Sequence, residues 1–176
     1  MYKRQLEYGY RINGLDGAAY VPVVAGGQNG LSIHYVRNDM TLKDGEMVLV
    51  DAGGEYGGYI TDITRTWPVN GKFTDPQRDL YEMILRVQRS VISLCREDAE
   101  VSLDKLHRIT ENGLRDGLKG LGFDMSGDVS LSSYYAVLGG TPTDITRHSR
   151  CYSHITLDTM SAWMCMTLQA IQGQIG

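Results

Sequence analysis

The sequence predicts an α+β chain in which an antiparallel sheet comes first and two amphipathic helices pack on one of its faces. Three observations carry that expectation. Two β-rich segments, Met47–Asp51 and "GYITDITRTWPV", flank a glycine-rich stretch. After Thr74 the apolar period changes from alternation to helical spacing. Each helical segment opens on a capping residue. A run of strands followed by a run of helices is the pattern of α+β packing.

The elements follow in order. "AAYVPVVAGG" is an apolar, β-rich run stopped by glycines, and "SIHYV" has the pattern of a short strand. "LKDGEMVLVDAGG" is a turn leading into a buried strand. The segment from Gly58 forms the second strand, and Pro68 ends it or places it at an edge, because proline cannot donate to a sheet ladder. Thr74 and Asp75 are cap candidates for a first helix, with Pro76 in its first turn. Leu80, Ile84, Val87, Val91 and Leu94 then share one helical face. Ser102 caps a second helix whose stripe is Leu103, Leu106, Ile109, Leu114 and Leu118. Gly120 or Gly122 stops it. His107 is expected at the surface or boundary of that helix. Beyond about residue 125 the chain is rich in Ser, Thr, Met and Gly and keeps no period.

Composition narrows the function. The chain has 176 residues and a net charge of −4. That length can bury a core, and the charge gives no reason to expect nucleic acid or an anionic membrane as partner. No apolar run approaches the roughly 18 residues of a membrane span. "MYKRQLEYGY" has neither the apolar core of a secretory signal nor the composition of a transit peptide. The three cysteines, Cys95, Cys151 and Cys165, show no metal-ligand spacing and cannot all pair. They suggest idle or buried thiols in a reducing compartment.

The chemistry sits on two aspartates. Asp51 and Asp62 are separated by "AGGEYGGYIT", which holds four glycines. A turn near Tyr56–Gly57 would set the two carboxylates face to face, with Cβ atoms about 4.5–5.5 Å apart. Like charges that close call for a cation between them, and carboxylates suit divalent metals. On spacing alone, two exposed aspartates at the ends of a hairpin is the simpler reading.

The surrounding residues change that balance. "IHY", "VDAGGEYGGYITDITRTWPVNGKF" and "YEMILRVQ" closely resemble the Xaa-Pro aminopeptidase (aminopeptidase P) branch of the pita-bread metallopeptidases, over about Leu6–Phe123. The resemblance implies the N-terminal half of a pita-bread (creatinase/aminopeptidase-like) catalytic domain. It implies hydrolytic release of an N-terminal residue that precedes proline, with water activated by two divalent ions, manganese or similar. Asp51 matches a terminal metal ligand, Asp62 a ligand that bridges both ions, and His34 a histidine that lines the substrate site and takes part in catalysis. The implied partner is a peptide with an N-terminal Xaa-Pro. No nucleic acid or membrane is implied, and a homo-oligomer of the full-length enzyme stays open, as does the choice between cytosol and mitochondria.

The family site also needs a later histidine and two glutamates. No glutamate follows Glu111, and His148 and His154 stand in unrelated contexts. The expected division is therefore a partial metallopeptidase domain over 1–128 and a non-family tail over 129–176. The genetic code suggests an origin for that tail. Read one base out of frame, the codons of Ser153–Gln169 permit the missing histidine motif, and Trp163/Met164 forces an aspartate. Val129-Ser130 can encode a splice donor and His148-Ser149 an acceptor, so a retained intron followed by frame-shifted sequence is expected. The second "TDITR", Thr143–Arg147, falls inside that interval. Ser133 stands where Asp51 would stand, and Pro142 replaces Ile60, so this copy is not a second acidic site. With a partial ligand set the chain itself is expected to be inactive. A metal-free binding module and a non-functional truncated product are the competing expectations.

Overall fold

The computed structural model describes residues 2–32, 34–96 and 100–123. They fall into two compact units, whose described parts are residues 2–73 and 74–123. The expectations for the tail, including the second TDITR, Cys151 and Cys165, lie outside the described residues.

The first unit opens with a helix that the sequence reading did not anticipate, α1 (Tyr2–Ile12). It ends by a double hydrogen bond around Gly14, which has φ +81°. Leu15 N–H donates to the Tyr10 carbonyl at 3.0 Å and Gly14 N–H to the Arg11 carbonyl at 3.1 Å. That pairing needs a left-handed residue, which glycine supplies without a Cβ clash. The strands follow as β1 (Gly17–Ala18), β2 (Val23–Gly26), β3 (Met47–Ala52), β4 (Gly54–Tyr56), β5 (Tyr59–Ile60) and β6 (Ile63–Pro68). They form two three-stranded antiparallel sheets, ordered β1-β4-β5 and β2-β3-β6. Pro68 does end its strand.

β3 is the centre of the unit. Its Val48, Val50 and Ala52 face one side and are covered by Leu6 of α1 with Val24, Leu42, Trp67 and Val69. Met47 and Leu49 are also buried. Burying each such side chain contributes on the order of 2 kcal/mol. Period two then fixes the direction of Asp51: it shares the Met47–Leu49 side of the strand, away from the face that α1 covers.

Two expectations are corrected. The described residues of "SIHYV", 32 and 34–36, are not in a strand. A short 3₁₀ helix spans Gly27–Leu31 and turns occupy the residues around His34. Two residues past that segment Asn38 is left-handed, φ +53°, and turns the chain again. Asp51 and Asp62 are also not directly opposed. The turn residues are Gly57 and Gly58, both with positive φ (57° and 81°), as a two-residue hairpin loop requires. Tyr56 therefore pairs with Tyr59 and Asp51 with Thr64. Moving the turn by one residue moves the register by two. Asp62 becomes the diagonal neighbour of Asp51 on the same face of the sheet.

The second unit holds α2 (Asp75–Ile92) and α3 (Leu103–Gly120). Thr74 caps α2 with a reciprocal pair: Gln77 N–H donates to Thr74 Oγ1 at 3.4 Å, and Thr74 N–H donates to Gln77 Oε1 at 3.0 Å. Thr74→Ala removes half of it and is expected to cost about 1 kcal/mol, read as a lower urea midpoint at unchanged slope. Leu80, Ile84 and Val91 are buried as expected, and Met83 joins them. On α3, Leu106, Leu114 and Leu118 are buried, and His107 is exposed. Val91 and Leu106 form a cluster with Leu94, Val101 and Ile109. Gly113 and Gly117 let the two helices approach. A Cβ at Gly113 would lie 3.0 Å from Val87 Cγ1, and one at Gly117 would lie 2.3 Å from Met83 Sδ. Gly122, φ +89°, stops α3, with Phe123 N–H donating to the Leu118 carbonyl at 3.1 Å.

Candidate metal centre

The site lies where the long hairpin of β3–β4 and β5–β6 is interrupted. The ladder holds from Met47↔Pro68 to Ala52↔Ile63 and resumes at Glu55↔Ile60. Between these pairs, Gly53 faces the Thr61–Asp62 segment so closely that a Cβ on Gly53 would lie 1.7 Å from the Thr61 carbonyl oxygen. Thr61 N–H still donates to the Gly54 carbonyl at 3.0 Å, and Gly54 N–H donates to Thr61 Oγ1 at 3.1 Å. The gap frees Asp62 from the ladder while leaving it half-buried beside Asp51.

A third side chain joins them. Tyr20 follows β1, held there by Ala19 N–H donating to the Gly53 carbonyl at 2.9 Å. Its hydroxyl lies 2.6 Å from Asp51 Oδ1 and 2.8 Å from Asp62 Oδ1. A phenol carries one proton, so it donates to one carboxylate at a time. The two acidic oxygens thus converge on a single point. Gly53 makes room for the ring as well, since its missing Cβ would lie 3.0 Å from Tyr20 Cε1.

The electrostatics follow from this crowding. Burial raises the Asp51 carboxyl above its usual range, and the charge of Asp62 adds to that, while the Tyr20 hydrogen bond and the His34 charge oppose it. Tyr20 is pushed far above the ordinary phenol range by burial and then by Asp51. Tyr10 is raised for the same reasons, burial first. His34 is exposed, on the loop after the 3₁₀ helix, and its charge is felt at Asp51.

Two converging carboxylates are a hard, oxygen-rich donor set that fits a divalent cation. The fit is partial. Among the described residues no group of three or more His, Cys, Asp or Glu gathers. Of the residues the sequence pointed to, Asp51 and Asp62 are brought together and His34 stands at the margin. Tyr20 was missed. Its only signal is its place in "AAYVPVV", because a phenol that lands between two acids 31 and 42 residues later leaves no local pattern.

The family model described as metallopeptidase family M24 matches residues 2–161. This chain belongs to that family. Intermediate cleaving peptidase 55 of Saccharomyces cerevisiae is 49% identical over 130 residues, which cover 74% of this chain and 25% of the yeast protein. Human Xaa-Pro aminopeptidase 3 is 47% identical over 118 residues, covering 67% of this chain and 23% of the human one. The crystal structure of yeast Icp55 bound to apstatin inhibitor superposes with a TM-score of 0.68 at 48% identity, over 74% of this chain and 33% of the yeast chain. The fold is thus part of the pita-bread architecture, with its mixed helices and antiparallel sheets. The chain spans about a quarter of the length of these curated relatives. No described helix is long and apolar enough to cross a membrane.

Proposed function

We propose that the chain is part of a metal-dependent aminopeptidase that acts on peptides with an N-terminal Xaa-Pro. Asp51 and Asp62 are the carboxylate ligands, His34 serves the substrate side, and the full site takes two divalent ions, manganese being the expected one. The observation that supports this most is the meeting of Asp51 and Asp62 on one hydroxyl. When bound, the metal would lower the pKa of water and polarise the scissile carbonyl. The chain's own part is to hold the two acids at the hairpin gap and to carry His34 on the loop at the margin of the site. The boundary at residue 128, with an intron-derived tail after it, belongs to the same reading, and sequencing the transcript tests it.

Under this reading the isolated chain binds Mn²⁺ weakly and does not turn over. Titration calorimetry is expected to show a weak Mn²⁺ event that Asp62→Asn abolishes, with no cleavage of an Xaa-Pro peptide. Turnover by the isolated chain would overturn its incompleteness. A metal-free interaction module is the second reading, favoured by the exposed Tyr56, Tyr59, Ile60 and Ile63 around the hairpin tip. Identical Mn²⁺ traces for the native chain and Asp62→Asn would favour it.

A further inference from the structure

We propose that Asn38 is the positioning residue that fixes the His34 loop to the edge of β2 that faces away from β3. The proposal deepens the aminopeptidase reading and rests on His34 belonging to that site.

β2 lies at the end of the order β2-β3-β6, so among the described residues one of its edges has no strand beside it. Unpaired backbone groups at such an edge need partners. The Asn38 amide supplies them. Its Oδ1 accepts from Val24 N–H at 2.7 Å, and its Nδ2 donates to the Pro22 carbonyl at 2.7 Å. These groups sit two residues apart, on the same side of the strand, so one side-chain amide meets them as a neighbouring peptide would. The second Nδ2 hydrogen serves the loop itself, donating to the Val36 carbonyl at 3.1 Å. Val36 N–H in turn donates to the His34 carbonyl at 2.8 Å. A continuous set of hydrogen bonds thus runs from β2 through Asn38 and Val36 to His34.

The backbone agrees. Asn38 is the one described non-glycine residue with positive φ, at 53°. Asparagine tolerates that conformation better than most residues. No other side chain combines that tolerance with a donor and an acceptor at this short reach. The neighbouring contacts of the loop, Tyr35 Oη to Asp39 Oδ1 at 2.6 Å and Arg37 to Asp39, are exposed. They tie the loop to itself and not to the sheet. Asn38 is therefore the described tie between the His34 loop and β2.

The test compares the native chain with Asn38→Gly, Asn38→Ala and Asn38→Asp by NMR. Glycine keeps the left-handed backbone and removes the amide. Aspartate keeps the acceptor for Val24 N–H and loses the donor. Without metal, backbone order parameters over His34–Arg37 are expected to fall in Asn38→Gly and Asn38→Ala, and to fall less in Asn38→Asp. The urea midpoint of the sheet is expected to stay close to native. Equal order in the native chain and Asn38→Gly overturns the proposal, whatever the metal does. Mn²⁺ is then added as a relaxation probe. The Ala52 amide, beside Asp51, is expected to broaden in every variant, while the His34 ring broadens in the native chain and loses most of that broadening without the amide. His34 broadening that is the same in Asn38→Gly as in the native chain also overturns the positioning role. An Ala52 amide unmoved by Mn²⁺ in the native chain speaks against the metal reading and leaves the order parameters to judge Asn38.

Discussion

Gly53→Ala is expected to cost about 3 kcal/mol and to part the two aspartates, at the upper end of what added volume costs in a packed interior. The reason is the nature of the obstacle. The new Cβ would lie 1.7 Å from the Thr61 carbonyl oxygen, a main-chain atom that cannot rotate away. Relief comes only by opening the hairpin. That breaks the Thr61 N–H bond to the Gly54 carbonyl and the Gly54 N–H bond to Thr61 Oγ1. The same methyl crowds Tyr20 Cε1, so the hydroxyl that gathers Asp51 and Asp62 moves as well. Gly58→Asn is the contrast. Gly58 has φ +81° and nothing within 4 Å of its missing Cβ, and asparagine suits such a turn, so less than about 1 kcal/mol is expected. Urea unfolding measures both costs, and Mn²⁺ titration shows whether the site survives. A Gly53→Ala chain with native stability and a native Mn²⁺ response would mean that the close approach at the gap is not what builds the site.

That gap also explains what could be read from the sequence and what could not. Helices α2 and α3 were legible because their information is local. Thr74 with Gln77, and the Leu80–Ile84–Val91 stripe, sit within a few turns of one another. Strands β3 and β6 were legible for the same reason, since β-branched and aromatic runs mark them, whereas the similar look of "SIHYV" misled. Register was not local. It depended on which two residues form the turn, and a shift of one residue turned an expected face-to-face pair into a diagonal one. The acid pair survived that error because a shift of two keeps both residues on the same face. α1 was missed because its stabilisation comes from Leu6 meeting a strand that begins 41 residues later, and from a Gly14 cap without a strong flanking pattern. Tyr20 and Asn38 were missed for a further reason. Each acts through one side chain bonded to atoms distant in sequence, and such placements exist only after folding. The motif around Asp51 and Asp62 carried the family resemblance, and the M24 match supports it.

The second large effect separates a ligand from a structural carboxylate. In EDTA, Asp51→Asn is expected to be more stable than the native chain near neutral pH. The asparagine has the same shape, and its Oδ1 still accepts from Tyr20, but the half-buried charge facing Asp62 is gone. The sign follows from linkage. The folded chain holds the Asp51 proton more tightly than the unfolded chain does, because burial raises the carboxyl from 3.8. Folded stability due to this group is full below that value and declines as pH rises through the raised folded value. Asp51→Asn is expected to lack that decline. With Mn²⁺ present the order reverses. Metal that binds the folded state stabilises it in proportion to RT ln(1 + [L]/Kd), and it does so by neutralising the same pair of charges. Losing one carboxylate is expected to weaken Mn²⁺ binding at least about tenfold, or about 1.4 kcal/mol at saturating metal. Thermal unfolding of both chains in EDTA and in Mn²⁺ therefore crosses: the variant is higher without metal and lower with it. A structural aspartate gives no crossing, because Asp51→Asn would then shift both curves in one direction. The crossing thus ties the strain between Asp51 and Asp62 to a site whose unfavourable charge pair is useful only when a cation sits in it.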